Sequence, residues 1–179
     1  MTPAEKAEKK FKLDKWNDKK FDYHSTKEYR QKWMVKRGEV YFVDLGENIG
    51  CEINKPRPVV VIQSDIYGAS SPLFTCAVIT SKSPKIPDSH ILIKNKYPYV
   101  DNGKTKNLKG IINLTQIRTI SKERLLFKDP ICTLTTEMDE VDEKLIKTLG
   151  LTNIIKKKDK IITSLKGKVE YLKGVINKK

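Results

Sequence analysis

A chain of 179 residues, 38% of them hydrophobic, is long enough for one folded domain with a sizeable core and short for two. Its longest apolar runs, such as Val59-Val60-Val61-Ile62, fall far short of the roughly 20 residues that span a bilayer, and no apolar segment follows the lysine-rich N-terminus, so neither a membrane span nor a signal peptide is expected. The net charge of +14 is concentrated at the ends, with twelve basic against six acidic residues in 1–37, fifteen against fourteen in 38–150, and nine against two in 151–179.

Residues 1–35 read as a basic N-terminal extension, whose first 20 residues are charged and weakly periodic, expected to be partly disordered or a frayed helix. Ser25-Thr26-Lys27-Glu28 has the form of a capping box. It predicts a short helix from Thr26 to about Met34, with Tyr29 and Trp33 on one face for packing.

From Glu39 the periodicity becomes that of strands. Val40–Leu45 is the first, followed by a loop from Gly46 to Lys55. Pro58–Gln63 is a β-branched run suited to a central buried strand. Ser64–Pro72 carries turn residues, and Leu73–Ile79 is the next strand, ending at Thr80. Lys82–Asp88 reads as an exposed loop. Ser89–Lys94 alternates with one apolar face, and Gly110–Thr115 with Gln116–Ile120 forms the last strand region. Short strands without intervening helices predict an antiparallel sheet or small barrel.

A helix follows, capped by Thr135 or Thr136, with Glu137, Asp139 and Glu140 in its first turn. Met138, Val141, Leu145, Ile146 and Leu149 form its apolar stripe, and Gly150 closes it. Residues 151–179 form a basic amphipathic helix with a heptad-like stripe, Ile155, Ile162, Leu165, Val169, Leu172 and Ile176, interrupted by Lys158. A helix packed on its own domain is preferred to a self-associating or partner-binding coil.

The chemistry-bearing residues are few. Cys51, Cys76 and Cys132 are odd in number and lack metal-ligand spacing, which suits a reduced cytoplasm and predicts no metal or cofactor. A paired-histidine mechanism would need His24 and His90 to converge, although His24 lies in the extension. In Lys55-Pro56-Arg57-Pro58, each proline disfavours the α region for the residue before it. That pins Arg57 at the mouth of a buried strand. A guanidinium's planar fork of donors matches phosphate. It keeps its protons and so suits charge stabilisation better than base catalysis. From spacing alone, the plainer reading wins: a surface arginine in a turn, and at Thr80 one of many strand-end threonines that alone mean little.

Several segments taken in order resemble the MazF/PemK toxin family. They are Arg37-Gly-Glu-Val-Tyr-Phe-Val-Asp-Leu45, Gly50-Cys51-Glu52 followed at the family spacing by Arg57-Pro58-Val59, Val60–Asp65, Ser71-Pro72 through Ile79-Thr80, Gln116–Ile120, and Met138–Leu145. The resemblance covers residues 36–150. It implies a mainly β fold with α elements, a small antiparallel SH3-like barrel of the MazF/CcdB kind with a C-terminal helix; the tails add further terminal helices. It also implies a cytoplasmic homodimer, neutralised by a cognate antitoxin, that cleaves single-stranded RNA at a short sequence without metal. The 2′-hydroxyl attacks the adjacent phosphate, leaving 2′,3′-cyclic phosphate and 5′-hydroxyl ends. Carried over, Arg57 and Thr80 are the catalytic pair, and Cys51, Glu52, Lys55, Ser81, Gln116 and Arg118 are substrate-binding residues. Cys51 for a serine, Thr115 for a glutamate, and Lys55-Pro56 for a glycine-rich stretch depart from the family pattern. Two rivals are a CcdB-like gyrase-binding toxin and an inactive RNA-binding barrel.

Overall fold

The computed structural model describes residues 1–25, 30, 32–67, 71–81, 86–101 and 103–177. Its centre is a six-stranded antiparallel sheet. The strands are β1 (Glu39–Asp44), β2 (Pro56–Val61), β3 (Leu73–Thr80), β4 (His90–Leu92), β7 (Ile111–Ser121) and β8 (Cys132–Thr133). Their spatial order is β4-β7-β3-β2-β1-β8. β5 (Pro98–Asp101) and β6 (Lys104–Asn107) pair as a separate hairpin.

The β-branched run predicts the central position, because only a strand covered on both faces can bury consecutive valines. Val59, Val60 and Val61 are all fully buried and alternate between two apolar clusters. One face packs Val60, Ala77, Ile79 and Ile112 under Val141 and Leu134. The other packs Val59, Val61, Cys76 and Val78 with Tyr41, Val43 and Leu45. Lys122–Leu125 carries the chain from β7 back across this second face. Leu125 bridges Val43, and the Leu126 N–H donates to the Phe42 carbonyl at 3.0 Å.

The two halves of the expected last strand region form one strand, β7, broken by a bulge. Its register against β3 passes from Ala77↔Ile117 to Val78↔Asn113, leaving Leu114, Thr115 and Gln116 unmatched. Such an insertion bends the strand and raises its twist, and the sheet curls into a half-barrel there.

The helix α2 (Glu137–Thr148) ends as expected. Gly150 has φ +71°, the Leu151 N–H donates to Ile146 O at 2.8 Å and the Gly150 N–H to Lys147 O at 3.0 Å, a Schellman closure. Its start differs. Thr136 makes no side-chain cap; its hydroxyl accepts from Asn95 Nδ2 at 3.0 Å. Glu137 is buried and accepts from the Tyr97 hydroxyl at 2.6 Å.

Two expectations are corrected. The first 20 residues are neither disordered nor frayed, for Pro3–Ser25 is a continuous helix, α1, tied to the sheet through Trp16. Its long-range contacts come from single residues rather than an apolar stripe, so its periodicity is weak. The C-terminal helix, α3 (Thr152–Ile176), does not pack on its own domain, since it has no buried residue. Leu165, Val169 and Leu172 on its stripe are 54%, 50% and 56% exposed. The helix expected over Thr26–Met34 lies largely outside the described residues, as does most of the loop expected at Lys82–Asp88.

Candidate RNA-cleavage site

Arg57 lies in β2, between its two prolines, where it pairs with Val43 of β1. Toward β3 the register runs Val61↔Cys76, Val60↔Ala77 and Val59↔Val78. Continued two residues, it sets Arg57 opposite Thr80, the last residue of β3. Directly opposed residues project from the same face, with Cβ atoms about 5 Å apart. That face is the one bearing Val59, Val61, Cys76 and Val78. Arg57 is exposed and Thr80 half-buried. The Arg57 Nε donates to the Asn54 carbonyl at 3.3 Å, which anchors the guanidinium stem to the β1–β2 loop. Gly110 makes room at Thr80, because a Cβ there would stand 2.6 Å from the Thr80 carbonyl oxygen.

The β1–β2 loop is internally tied. Leu45 N–H donates to Lys55 O at 3.2 Å and Lys55 N–H to Gly46 O at 2.8 Å. Asn48 Nδ2 donates to Leu45 O at 3.1 Å and Ile53 O at 2.9 Å, and Asn48 N–H to Asn54 Oδ1 at 3.0 Å. Lys55 itself departs from the expected extended backbone. Its φ is +69°, a conformation disfavoured for a residue with a Cβ, and the two backbone bonds to Leu45 and Gly46 hold it there.

Beside the loop, the bulged half of β7 floors an open groove of about 670 Å³, lined by Thr115–Ser121 with Glu52 and Arg124. Gln116 Oε1 accepts from the Ile53 N–H at 3.3 Å and from Arg118 Nη2 at 3.1 Å. Arg118 Nη2 also lies 3.9 Å from Glu52 Oε2. Ile53 and Asn54 therefore connect the groove to Arg57 through adjacent residues. The structure thus brings Glu52, Gln116 and Arg118 together. Cys51 is exposed beside Glu52 at the loop tip, Lys55 is exposed at the loop base, and Ser81 is exposed just beyond Thr80. None of these three lines the groove.

Sequence reasoning missed Arg124. Its Nη1 donates to Leu45 O at 3.4 Å, and its guanidinium stands 5.3 Å from the centre of the Trp16 ring. Burial lowers its pKa, yet a guanidinium starts high enough to stay charged. A lone arginine after a strand carries no signal that it will face a groove. The histidines do not converge at this groove. His24 stands at the end of α1, and His90 is on β4, its Nδ1 2.9 Å from Ile86 O.

Residues 36–149 match a family described as the PemK-like, MazF-like toxin of type II toxin-antitoxin systems. Endoribonuclease EndoA of Bacillus subtilis (strain 168) is 40% identical over 121 residues, which cover 66% of this chain and 97% of that protein. Among solved structures, an endoribonuclease in complex with its cognate antitoxin from a mycobacterial species superposes with a TM-score of 0.51 at 22% identity, covering 65% of this chain and 96% of that one. MazF (Form-I) of Deinococcus radiodurans gives a TM-score of 0.49 at 16% identity over 66% of this chain and 98% of its own.

Proposed function

Because the chain belongs to the PemK-like, MazF-like family of type II toxins, we propose that it is an endoribonuclease toxin that cuts single-stranded RNA at a short sequence without a metal ion. What supports this reading is the β2–β3 register: extended two residues past its last pair, Val59↔Val78, it would bring Arg57 opposite Thr80, with Asn54 and Ile53 leading from Arg57 to a polar groove. RNA lies along that groove with a scissile phosphate at Arg57. The 2′-hydroxyl attacks the neighbouring phosphorus, the P–O5′ bond breaks, and the products carry a 2′,3′-cyclic phosphate and a 5′-hydroxyl. Charge builds on the non-bridging oxygens as this happens. A guanidinium on rigid backbone offers paired donors to that charge. The Thr80 hydroxyl supplies a further donor, and Arg118 and Arg124 hold flanking phosphates.

Half-buried Gln116 and exposed Thr115 of the bulge, with Glu52, suit base-edge contacts, which select sequence, whereas phosphate contacts position the strand. A cognate antitoxin and a homodimer complete the proposed assembly, and the cytoplasm is its proposed site of action. The supporting test uses one long defined RNA, incubated with the wild-type protein and with Arg57→Ala. Discrete cuts by the wild type alone are expected. A gyrase-poisoning toxin would arrest gyrase and leave the RNA whole, and an RNA-binding barrel would retain the RNA uncut.

A further inference from the structure

The family match begins at residue 36, so α1 lies outside it. Many of its contacts fall on one segment of the chain, residues 44–48. Lys9 Nζ pairs with Glu47 Oε2 at 3.1 Å and donates to Asn48 O at 3.3 Å. Two turns on, Trp16 is 8% exposed, although nearly every other residue of the helix faces solvent. Its indole lies flat against Gly46, where a Cβ would come within 2.2 Å of the ring. A further turn along, Lys19 pairs with Asp44, and the Tyr23 hydroxyl donates to the same carboxylate at 3.0 Å. Asp44 is buried, and its other oxygen accepts the Gly46 N–H at 2.9 Å. Residues 44, 46, 47 and 48 are thus held from one helix, one after another.

The opposite limb of the same loop is held from the groove, where Ile53 N–H meets Gln116. The helix also reaches the groove directly, since the Trp16 ring backs the Arg124 guanidinium and Arg124 in turn donates to Leu45 O. An arginine over an indole face is attracted by the ring quadrupole and keeps its donors pointing outward.

We propose that α1 is a brace that pre-forms the β1–β2 loop and aims Arg124 into the RNA groove, with Trp16 as the positioning residue. The inference rests on the RNA-cleaving reading of the groove for its catalytic consequence, but the brace itself stands on the contacts of α1. A loop ordered before RNA arrives does not lose that order's entropy on binding, so affinity rises without any new contact to RNA. The brace acts on KM more than on the rate of the bound complex. It is also separate from the lysines of α1, which attract phosphate through charge alone.

The test compares wild type, Trp16→Ala, Trp16→Phe and Lys9→Ala by amide hydrogen exchange and by cleavage of one defined RNA. In Trp16→Ala, the Gly46, Asn48 and Lys55 amides should exchange about ten-fold faster or more, while the β2 and β3 amides keep their protection. KM should rise about ten-fold with the saturating single-turnover rate little changed, and the salt slope of RNA binding should fall by no more than about 0.7, the share of the one phosphate assigned to Arg124. Trp16→Phe, which keeps an aromatic face against Gly46 and Arg124, should restore most of both effects. If Trp16→Ala does not fold, Lys9→Ala decides by the same readout, with faster exchange confined to residues 46–49. Equal loop exchange in wild type and the folded variants overturns the brace. Wild-type protein that cuts no RNA would overturn the function proposed for the groove, and the exchange comparison would still judge the brace.

Discussion

At the scale of single residues, the proposed site depends on what each side chain can offer a phosphate. Arg57→Ala should leave the fold intact, because Arg57 is exposed and its side-chain bond is to one loop carbonyl. Cleavage should fall by about 100- to 1000-fold, the usual cost of removing one donor aimed at developing charge. Arg57→Lys should also be poor, since a point charge lacks the planar fork. Thr80→Ala should lose less than Arg57→Ala in the same single-turnover assay, because a neutral hydroxyl donor is weaker than a charged one. Unchanged kinetics in Arg57→Ala would remove the residue from the site. Gly46→Ala tests packing instead. Its φ is +75°, and an alanine methyl there would stand 2.2 Å from the Trp16 ring, so the melting temperature should drop by several degrees.

At the scale of elements, α1 and α3 behave oppositely. The Asp44–Lys19 pair makes α1 docking pH-dependent. Burial raises the Asp44 pKa, but Lys19, the Gly46 N–H and Tyr23 outweigh it and hold the carboxyl below its ordinary value. Asp44 therefore stabilises the fold above its unfolded pKa of about 3.9, and that contribution is lost as pH falls through the lower folded value. Lys19 is raised, mainly by its hydrogen bond to Asp44, so its share is present at neutral pH and lost only above the ordinary lysine range. Melting temperatures of wild type and Asp44→Asn should differ at pH 7 and converge as the pH drops well below about 4. By contrast α3 buries nothing, so deleting 152–179 should move the melting temperature by no more than about 2 °C, a shift worth a fraction of a kcal/mol. A large drop would mean that α3 is covered in solution.

The contrast also shows where the sequence is legible. β1, β2, β3, β7 and α2 are readable because their periodicity reports burial against one body. The join of β7 is not, since a bulge of Leu114-Thr115-Gln116 leaves the strand composition unchanged. β8 has two residues, too few for any period. The hairpin of β5 and β6 is largely exposed and carries no apolar alternation. α1 fails for the same reason, as Trp16, Lys9, Lys19 and Tyr23 dock it without forming an apolar stripe. At the proposed site, Arg57 and Thr80 are singled out by the family resemblance, since a proline-flanked arginine and a strand-end threonine carry little signal alone. Their opposition follows only from extending the β2–β3 register past Val59↔Val78, and no local pattern encodes register. The stripe on α3 is visible in the sequence, but amphipathicity does not say which surface covers it.

At the scale of the whole molecule, charge and sequence choice should separate. The body is nearly neutral and the two ends are strongly basic. Removing 152–179 should weaken RNA binding and lower the salt slope by about 0.7 for each single-strand phosphate that the tail neutralises, while the cut positions on a long RNA stay the same. A changed set of cut positions would place the tail in sequence readout. The central claim, that this protein carries out metal-independent RNA cleavage with Arg57 and Thr80 as the proposed reacting pair, is tested most directly by incubating the full-length protein with a long single-stranded RNA in excess EDTA and mapping the product ends. Discrete cuts bearing 5′-hydroxyl and 2′,3′-cyclic phosphate ends are the predicted result. Intact RNA, or cleavage that appears only when magnesium is restored, would contradict it.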